Sequence, residues 1–322
     1  MTDPYVLTFA PILKAKVWGG RRLARLGKAL PPGVDVGESW EIADLASTSA
    51  GGGGGDAARS VISDGPLAGK TLHEAMTLWG GALLGEARPS EAGGFPLLVK
   101  FLDAREHLSV QVHPSPEYAR AHPDAHLKTE CWYVVDAEPG SVIYKGVKPG
   151  VTRADFEKAL RTGQGEGVVE LLDAVPAVVG ECHNLPSGTV HALGAGVLVA
   201  EVQTPSDTTF RVYDWAAEYG RAGRELHVEQ ALACIDFSPA GAGVRGSAAG
   251  PETLVTTPFY TVHKVSGGSW AGDGACSVVM ALEGETAVGP CTLRAGGVAL
   301  VPACLDAPVR TEGVALVFGL SQ

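Results

Sequence analysis

The sequence predicts a mainly β protein whose strands enclose a polar cavity, with a few short helices inserted. Gly 43 and Pro 21 punctuate the 322 residues too often for long helices. Short segments alternate apolar and polar side chains, the period of a strand. Five of these segments carry ionisable or amide groups on a single face. A barrel with a polar interior explains all five together, because its inward faces converge on one cavity.

The elements follow in chain order. Residues 5–12 (YVLTFAPI) and 37–43 (GESWEIA) read as strands, and Gly51–Gly55 as an exposed flexible loop. Thr71 and Glu74 make a capping box for a short amphipathic helix with Leu72, Met76, Leu78 and Trp79. Residues 96–104 and 108–112 are strand-like. Ser115-Pro116 opens a helix over about 116–121. Strands follow at 130–135 and 141–144, a helix capped by Thr152 through Leu160, and a second helical stretch over about 166–173. Strands return at 177–182, 188–193, 197–203 and 208–214, and a last helix covers about 226–234. The small-residue stretch 239–252 reads as a linker, and 253–322 as a small all-β module without metal ligands of its own. The domain map is therefore 1–238, 239–252 and 253–322, with the linker and the 51–55 loop as the first sites of proteolysis.

Composition narrows the function. Hydrophobic residues at 45% allow a sizeable core, and a net charge of −11 provides no bulk positive field for nucleic acid. A small anionic ligand needs only a few local cations. The six cysteines form no C-x-x-C pair and read as reduced thiols. No charged n-region precedes an apolar h-region, and no apolar run reaches the roughly 20 residues of a spanning helix. The chain is expected to be cytoplasmic, without a membrane partner. Two glycine features are decoys. Gly65-Pro66-Leu67-Ala68-Gly69-Lys70-Thr71 has three residues between its glycines where a phosphate loop needs four, and Pro66 removes an N–H. The glycine run lacks the spacing of a dinucleotide fingerprint.

The chemistry lies on the polar faces. In LSVQVH, Ser109, Gln111 and His113 oppose Leu108, Val110 and Val112. Lys128 and Glu130 share a face with Trp132, Thr189 with His191, Glu201 with Gln203, and Asp207 with Thr209, Arg211 and Tyr213. His113, His191 and Glu130, with Gln111 as a fourth oxygen donor, form a set that suits catalytic zinc and equally non-haem iron or manganese.

Gly180-x5-Pro186-x-Gly188-x2-His191 resembles the second half of the cupin motif, departing where Ala195 stands in the later Asn position. Gln111-Val-His113 resembles the first half, with Gln for the first His and the carboxylate Glu130 delayed by an insertion at 114–129. The ordered segments KVWGG (16–20), GESWEIA (37–43), GPLAGKTL (65–72), PLLVKFLDA (96–104), LSVQVHP (108–114), KTECWYVV (128–135), PSGTVHAL (186–193) and SDTTFRVYDW (206–215) are similar to the type I mannose-6-phosphate isomerases. The resemblance runs from about Tyr5 to Trp215. It implies cupin-type jelly-roll barrels, one Zn²⁺ per chain on Gln111, His113, Glu130 and His191, and a sugar-phosphate substrate. It makes Arg211 catalytic, with Lys128, and puts Ser109, Lys100, Trp18, Glu38 and Asp207 in the substrate pocket.

Aldose–ketose interconversion moves a proton between C2 and C1 through an enediol. It needs a cation for the developing oxygen charge, a base, and a grip on phosphate. Glu201 is the candidate base; Ser109, Lys100 and Arg211 offer phosphate contacts. The competing readings are another metal-dependent cupin enzyme, such as an iron dioxygenase or a different sugar-phosphate isomerase, and a non-catalytic sugar-binding cupin. The sequence leaves the oligomeric state open.

Overall fold

The computed structural model describes residues 2–49, 54–161, 166–272 and 274–321. Pro11 sets the first branch of the topology. It has no N–H to give a ladder, so the segment expected as one strand over 5–12 breaks there. Leu7–Ala10 pairs with Val298–Val301 near the C-terminus, whereas Ile12–Gly20 pairs with Val36–Ile42.

Two antiparallel sheets form the barrel. A seven-stranded sheet runs in the order Val244–Arg245, Glu181–Leu185, Glu130–Ala137, Val197–Gln203, Leu98–Ala104, Ile12–Gly20 and Val36–Ile42. A five-stranded sheet runs Leu172–Pro176, Val142–Val147, His191–Leu193, Val110–Val112 and Phe210–Tyr213. Leu102, Trp132, Val134, Leu185 and Val199 of the first pack with Ile143 and Leu193 of the second. This mainly β, cupin-type jelly roll with short helical insertions is the expected fold class.

Close backbone contact explains the KVWGG–GES pairing. A Cβ on Gly19 would stand 2.4 Å from the Gly37 nitrogen, and one on Gly37 would meet the Trp18 ring at 2.7 Å. Only glycines let the two strands approach with Trp18 laid between them.

The capping box on Leu72–Trp79 is present, with the Thr71 hydroxyl and Glu74 carboxylate each serving the other's backbone N–H. Ser115 caps Pro116–Ala121 as expected. Two expectations shift. Helix covers only Glu166–Val169, and Leu172–Pro176 is a strand, because Leu172 pairs with Val147 and is fully buried. The strand expected at 177–182 lies at Glu181–Leu185, after a turn with Gly180 at φ 90°. Residues 51–53 of the expected glycine loop lie outside the described residues.

A third, nine-stranded sheet contains most of 253–322. It takes Leu7–Ala10 as one of its strands, and Val244–Arg245, inside the segment read as a linker, pairs with Glu181 and Cys182. The outer face of the seven-stranded sheet (Phe101, Tyr133, Cys182) shares one apolar cluster with Tyr260, Val278 and Phe318. All six cysteines are free, including the buried Cys131 and Cys182, whose sulfurs lie 3.0 Å apart. Among the described residues, no helix is long and apolar enough to cross a membrane.

Because that cluster joins both parts of the chain, thermal unfolding should be one cooperative transition. Phe318→Ala should lower its stability by about 3–5 kcal/mol without splitting it. Two calorimetric peaks would show separate cores instead.

Candidate active site and metal centre

His191, Gln111 and Arg211 are register partners across three adjacent strands of the five-stranded sheet, so their side chains share its inner face. Glu201 and Lys100 are partners in the opposite sheet, as are Glu201 and Trp132. Between the sheets lies a cavity of about 480 Å³. Trp18, Glu38, Lys100, Ser109, Gln111, Lys128, Glu130, Glu201, Asp207 and Arg211 all line it. His113 and His191 adjoin it through Glu130.

One potential ligand atom each from His113, Glu130 and His191 lies within 4.8 Å of the others, and all three residues are buried. The Thr208 and Thr189 carbonyl oxygens stand 3.1 and 2.8 Å from Nδ1 of His113 and His191. A carbonyl only accepts, so each Nδ1 carries a proton, and in the neutral ring Nε2 presents the lone pair. Those lone pairs face Glu130 at 3.2 and 3.1 Å. Acceptors therefore confront acceptors. His113 Nε2 and both Glu130 oxygens lack a hydrogen bond among the described residues. Burial, with Lys128 next, pushes the His113 pKa down to about 3 despite Glu130. Burial raises the Glu130 pKa, but Lys128 and the two imidazoles outweigh it and leave it well below the carboxylate range. A neutral His113 imidazole and an ionised Glu130 carboxylate are donor states a divalent cation requires. Gln111 stands beside them, its amide nitrogen 3.3 Å from His191 Nε2. Ser109 Oγ lies 3.3 Å from the Gln111 oxygen.

A second group alternates charge. Lys100 lies 3.0 Å from Glu201 and 3.6 Å from Glu38, and Lys16 lies 3.3 Å from Glu38. Each carboxylate also accepts an indole N–H, Glu38 from Trp40 at 2.6 Å and Glu201 from Trp132 at 2.7 Å. Burial raises Glu38, yet Lys16, Lys100 and the Trp40 hydrogen bond bring its pKa to about 2. Glu201 goes the other way, because burial and the nearby Glu130 outweigh Lys100 and Lys128. Lys128 stands 3.0 Å from Glu130 Oε2.

The third wall is cationic. Arg211 donates to the Glu225 carbonyl at 2.6 Å and has Asp214 4.0 Å away. Asp207 instead accepts from the Ser49 N–H and hydroxyl. Burial and then Arg224 lower the Arg211 pKa to about 10, so it remains charged at neutral pH. Arg224, Glu225, His227, Lys16 and Trp40 line the cavity but are absent from the sequence-derived site. Trp40 lies within the quoted GESWEIA segment. Arg224 and His227 carry no motif signal.

The fold and donor set define a cupin barrel with a buried two-histidine, one-carboxylate cluster beside a charged cavity. Residues 6–143 match the family model described as phosphomannose isomerase type I, catalytic domain. The chain is 35% identical over 281 residues to the mannose-6-phosphate isomerase ManA of Bacillus subtilis, covering 86% of this chain and 82% of that one. It is 36% identical over 259 residues to the mannose-6-phosphate isomerase of Streptococcus mutans, covering 77% and 75%. A crystal structure of the mannose 6-phosphate isomerase from Bacillus subtilis superposes with a TM-score of 0.81 at 28% identity, covering 97% of this chain and 98% of the other. The chain belongs to the type I mannose-6-phosphate isomerase family.

The Glu38 environment sets a pH dependence. Its folded pKa of about 2 lies below the ordinary 4.5, so the unfolded chain takes up this proton first as pH falls. Its stabilisation is complete above pH 4.5 and disappears as pH falls towards 2, in total on the order of 3 kcal/mol. Glu38→Gln should lose about that much at pH 7 in urea titrations and flatten the acid limb of the stability profile. An unchanged limb would remove Glu38 from this role.

Proposed function

We propose that the chain is a zinc-dependent isomerase interconverting D-mannose 6-phosphate and D-fructose 6-phosphate through an enediol intermediate. The observation that carries the reading is the buried His113–Glu130–His191 cluster at a charged cavity, with His113 Nε2 and both Glu130 oxygens lacking a hydrogen bond among the described residues, in a chain of this family. These three, with Gln111 once its amide is turned so that the oxygen rather than the nitrogen faces His191, would hold one zinc per chain. Two imidazoles, a carboxylate and an amide suit a catalytic zinc site with room for substrate. When bound, zinc supplies a Lewis-acid cation beside the substrate oxygens.

The remaining chemistry belongs to side chains. Glu201, raised by burial and aimed by Trp132, takes the C2 proton of the open-chain aldose and returns it to C1. The O2 proton leaves as the C2 carbonyl forms, and O1 gains one. Arg211 and Lys128 stabilise the oxygen charge of the intermediate in a cavity sheltered by Trp18, Trp40 and Trp132. Lys100 and Glu38 fix the Glu201 carboxylate, and Ser109 and Asp207 offer a hydroxyl and a carboxylate to substrate oxygens. The six free cysteines fit a reducing cytoplasm.

The test is conversion of mannose 6-phosphate with and without chelator, paired with metal quantification. One zinc per chain and chelator-sensitive turnover are expected. Bound iron with oxygen uptake, or no isomerisation, would replace the reading with an oxygenase or a sugar-binding protein. His113→Ala should lose metal and activity together. Arg211→Lys should keep its zinc and lose on the order of 10²-fold in kcat. A raised KM with intact kcat would confine Arg211 to ground-state binding.

A further inference from the structure

The cationic wall contains a histidine whose protonation pattern is fixed by backbone. The Arg211 N–H donates to His227 Nδ1 at 3.2 Å, and the His227 N–H donates to the Arg211 carbonyl at 2.8 Å. A backbone N–H only donates, so Nδ1 must keep its lone pair and the ring proton sits on Nε2. His227 is a half-buried residue of the cavity lining, and Nε2 has no hydrogen-bond partner among the described residues. His227 is thus a directed donor awaiting an acceptor.

Its surroundings select the acceptor. Asp214 takes hydrogen bonds from both Arg221 and Arg224 and is also the carboxylate nearest Arg211. Glu106 approaches Arg221 at 3.6 Å. Asp214 and Glu106 thus serve three guanidiniums. Lys100 and Lys128, by contrast, already face carboxylates at 3.0 Å. Glu225 also acts on Arg211 and His227, so the cations of the wall are balanced in charge; what it offers an anion is donors, with Arg224 Nη2 lacking a hydrogen-bond partner among the described residues beside the neutral His227 N–H.

Position agrees. His191, Gln111 and Arg211 step across three strands, each about 4.8 Å from the next. The segment carrying His227 is bonded to the far edge of that row. A sugar whose reacting carbons sit by His191 and Glu130 extends its other end towards this wall.

We propose that His227 Nε2–H donates to the phosphate of the bound sugar phosphate, beside Arg224 and beyond Arg211, and is a specificity residue for the phosphorylated substrate. The proposal rests on the isomerase reading above. Burial and the Arg211 charge lower the His227 pKa, which keeps the ring neutral at physiological pH.

The test uses the full-length, zinc-loaded enzyme and two variants, His227→Phe and His227→Gln. Inorganic phosphate serves as a competitive probe. Loss of a hydrogen bond to a charged acceptor should raise KM for mannose 6-phosphate and Ki for phosphate together, by about tenfold or more in the Phe variant. The kcat should stay within about twofold and zinc content should not change. Gln, which restores an N–H donor, should recover part of both. A drop in kcat with KM and Ki unchanged would move His227 to the reacting oxygens and overturn the proposal. So would unchanged constants, or a Gln variant no better than Phe. Wild-type enzyme inert towards mannose 6-phosphate would instead overturn the isomerase reading, whereas phosphate affinity still reports on His227 directly.

Discussion

Two imidazole lone pairs and a carboxylate meet at 3.1 and 3.2 Å in a buried pocket, and the surrounding structure must hold them there. Acceptors at that spacing repel one another when no cation lies between them, and low dielectric strengthens the repulsion. Backbone carbonyls prevent the rings from rotating away, since Thr208 and Thr189 each hold an Nδ1. Those carbonyls are fixed in turn by the strands and turns of a rigid barrel. Lys128 offsets part of the Glu130 charge. The barrel thus fixes the three groups within ligand distance of one another, at a cost in stability that the apolar clusters must offset.

The charged groups beyond it are arranged to make two similar carboxylates different. Glu38 has two lysines and an indole N–H and is driven to about 2, whereas Glu201 shares Lys100 and lies near Glu130, so burial wins and its pKa rises. A pair of acids pushed apart in this way suits the proposed mechanism, in which Glu38 stays a fixed anion and Glu201 takes and returns the proton. The two tryptophans secure that division. Each gives its N–H to one carboxylate while its buried ring excludes water from the same side.

The polar face of each strand was legible from alternation alone. His113, His191, Glu130 and Gln111 converge because inward faces of a barrel have nowhere else to point. The capping box at Thr71 and the Ser115-Pro116 helix start are local chemistry, and local chemistry is what a sequence displays. Pairing partners are less visible. Leu172 and Asp173 fall within the helical stretch expected from sequence because the strand they begin depends on Val147, distant in sequence, and the docking of Leu7–Ala10 beside Val298–Val301 could not be read from either segment. The fate of Lys100 is similar: the family resemblance places it in the pocket, but only the fold puts two carboxylates around it.

The cationic wall was hidden for a further reason. Residues 216–225 lie between the last strand and the last helix expected from sequence, with Arg221, Arg224 and Glu225 spaced at no particular period. The chain reverses at Trp215, which has a left-handed φ of 55°. A bulky residue there costs on the order of 1–2 kcal/mol of backbone strain, and nothing in the sequence announces it. The indole stacks on His107 with ring centres 4.4 Å apart, and Tyr219, one turn further on, approaches the same histidine through its hydroxyl. These contacts offset the strain and bring the loop back over the barrel mouth. Asp214, next to the reversal, then gathers Arg221 and Arg224, while the strand bearing Arg211 exchanges backbone hydrogen bonds with His227. One strained residue at the end of a barrel strand thus converts a surface loop into a wall of the cavity, and the cations of that wall are in place because the turn that delivers them is packed.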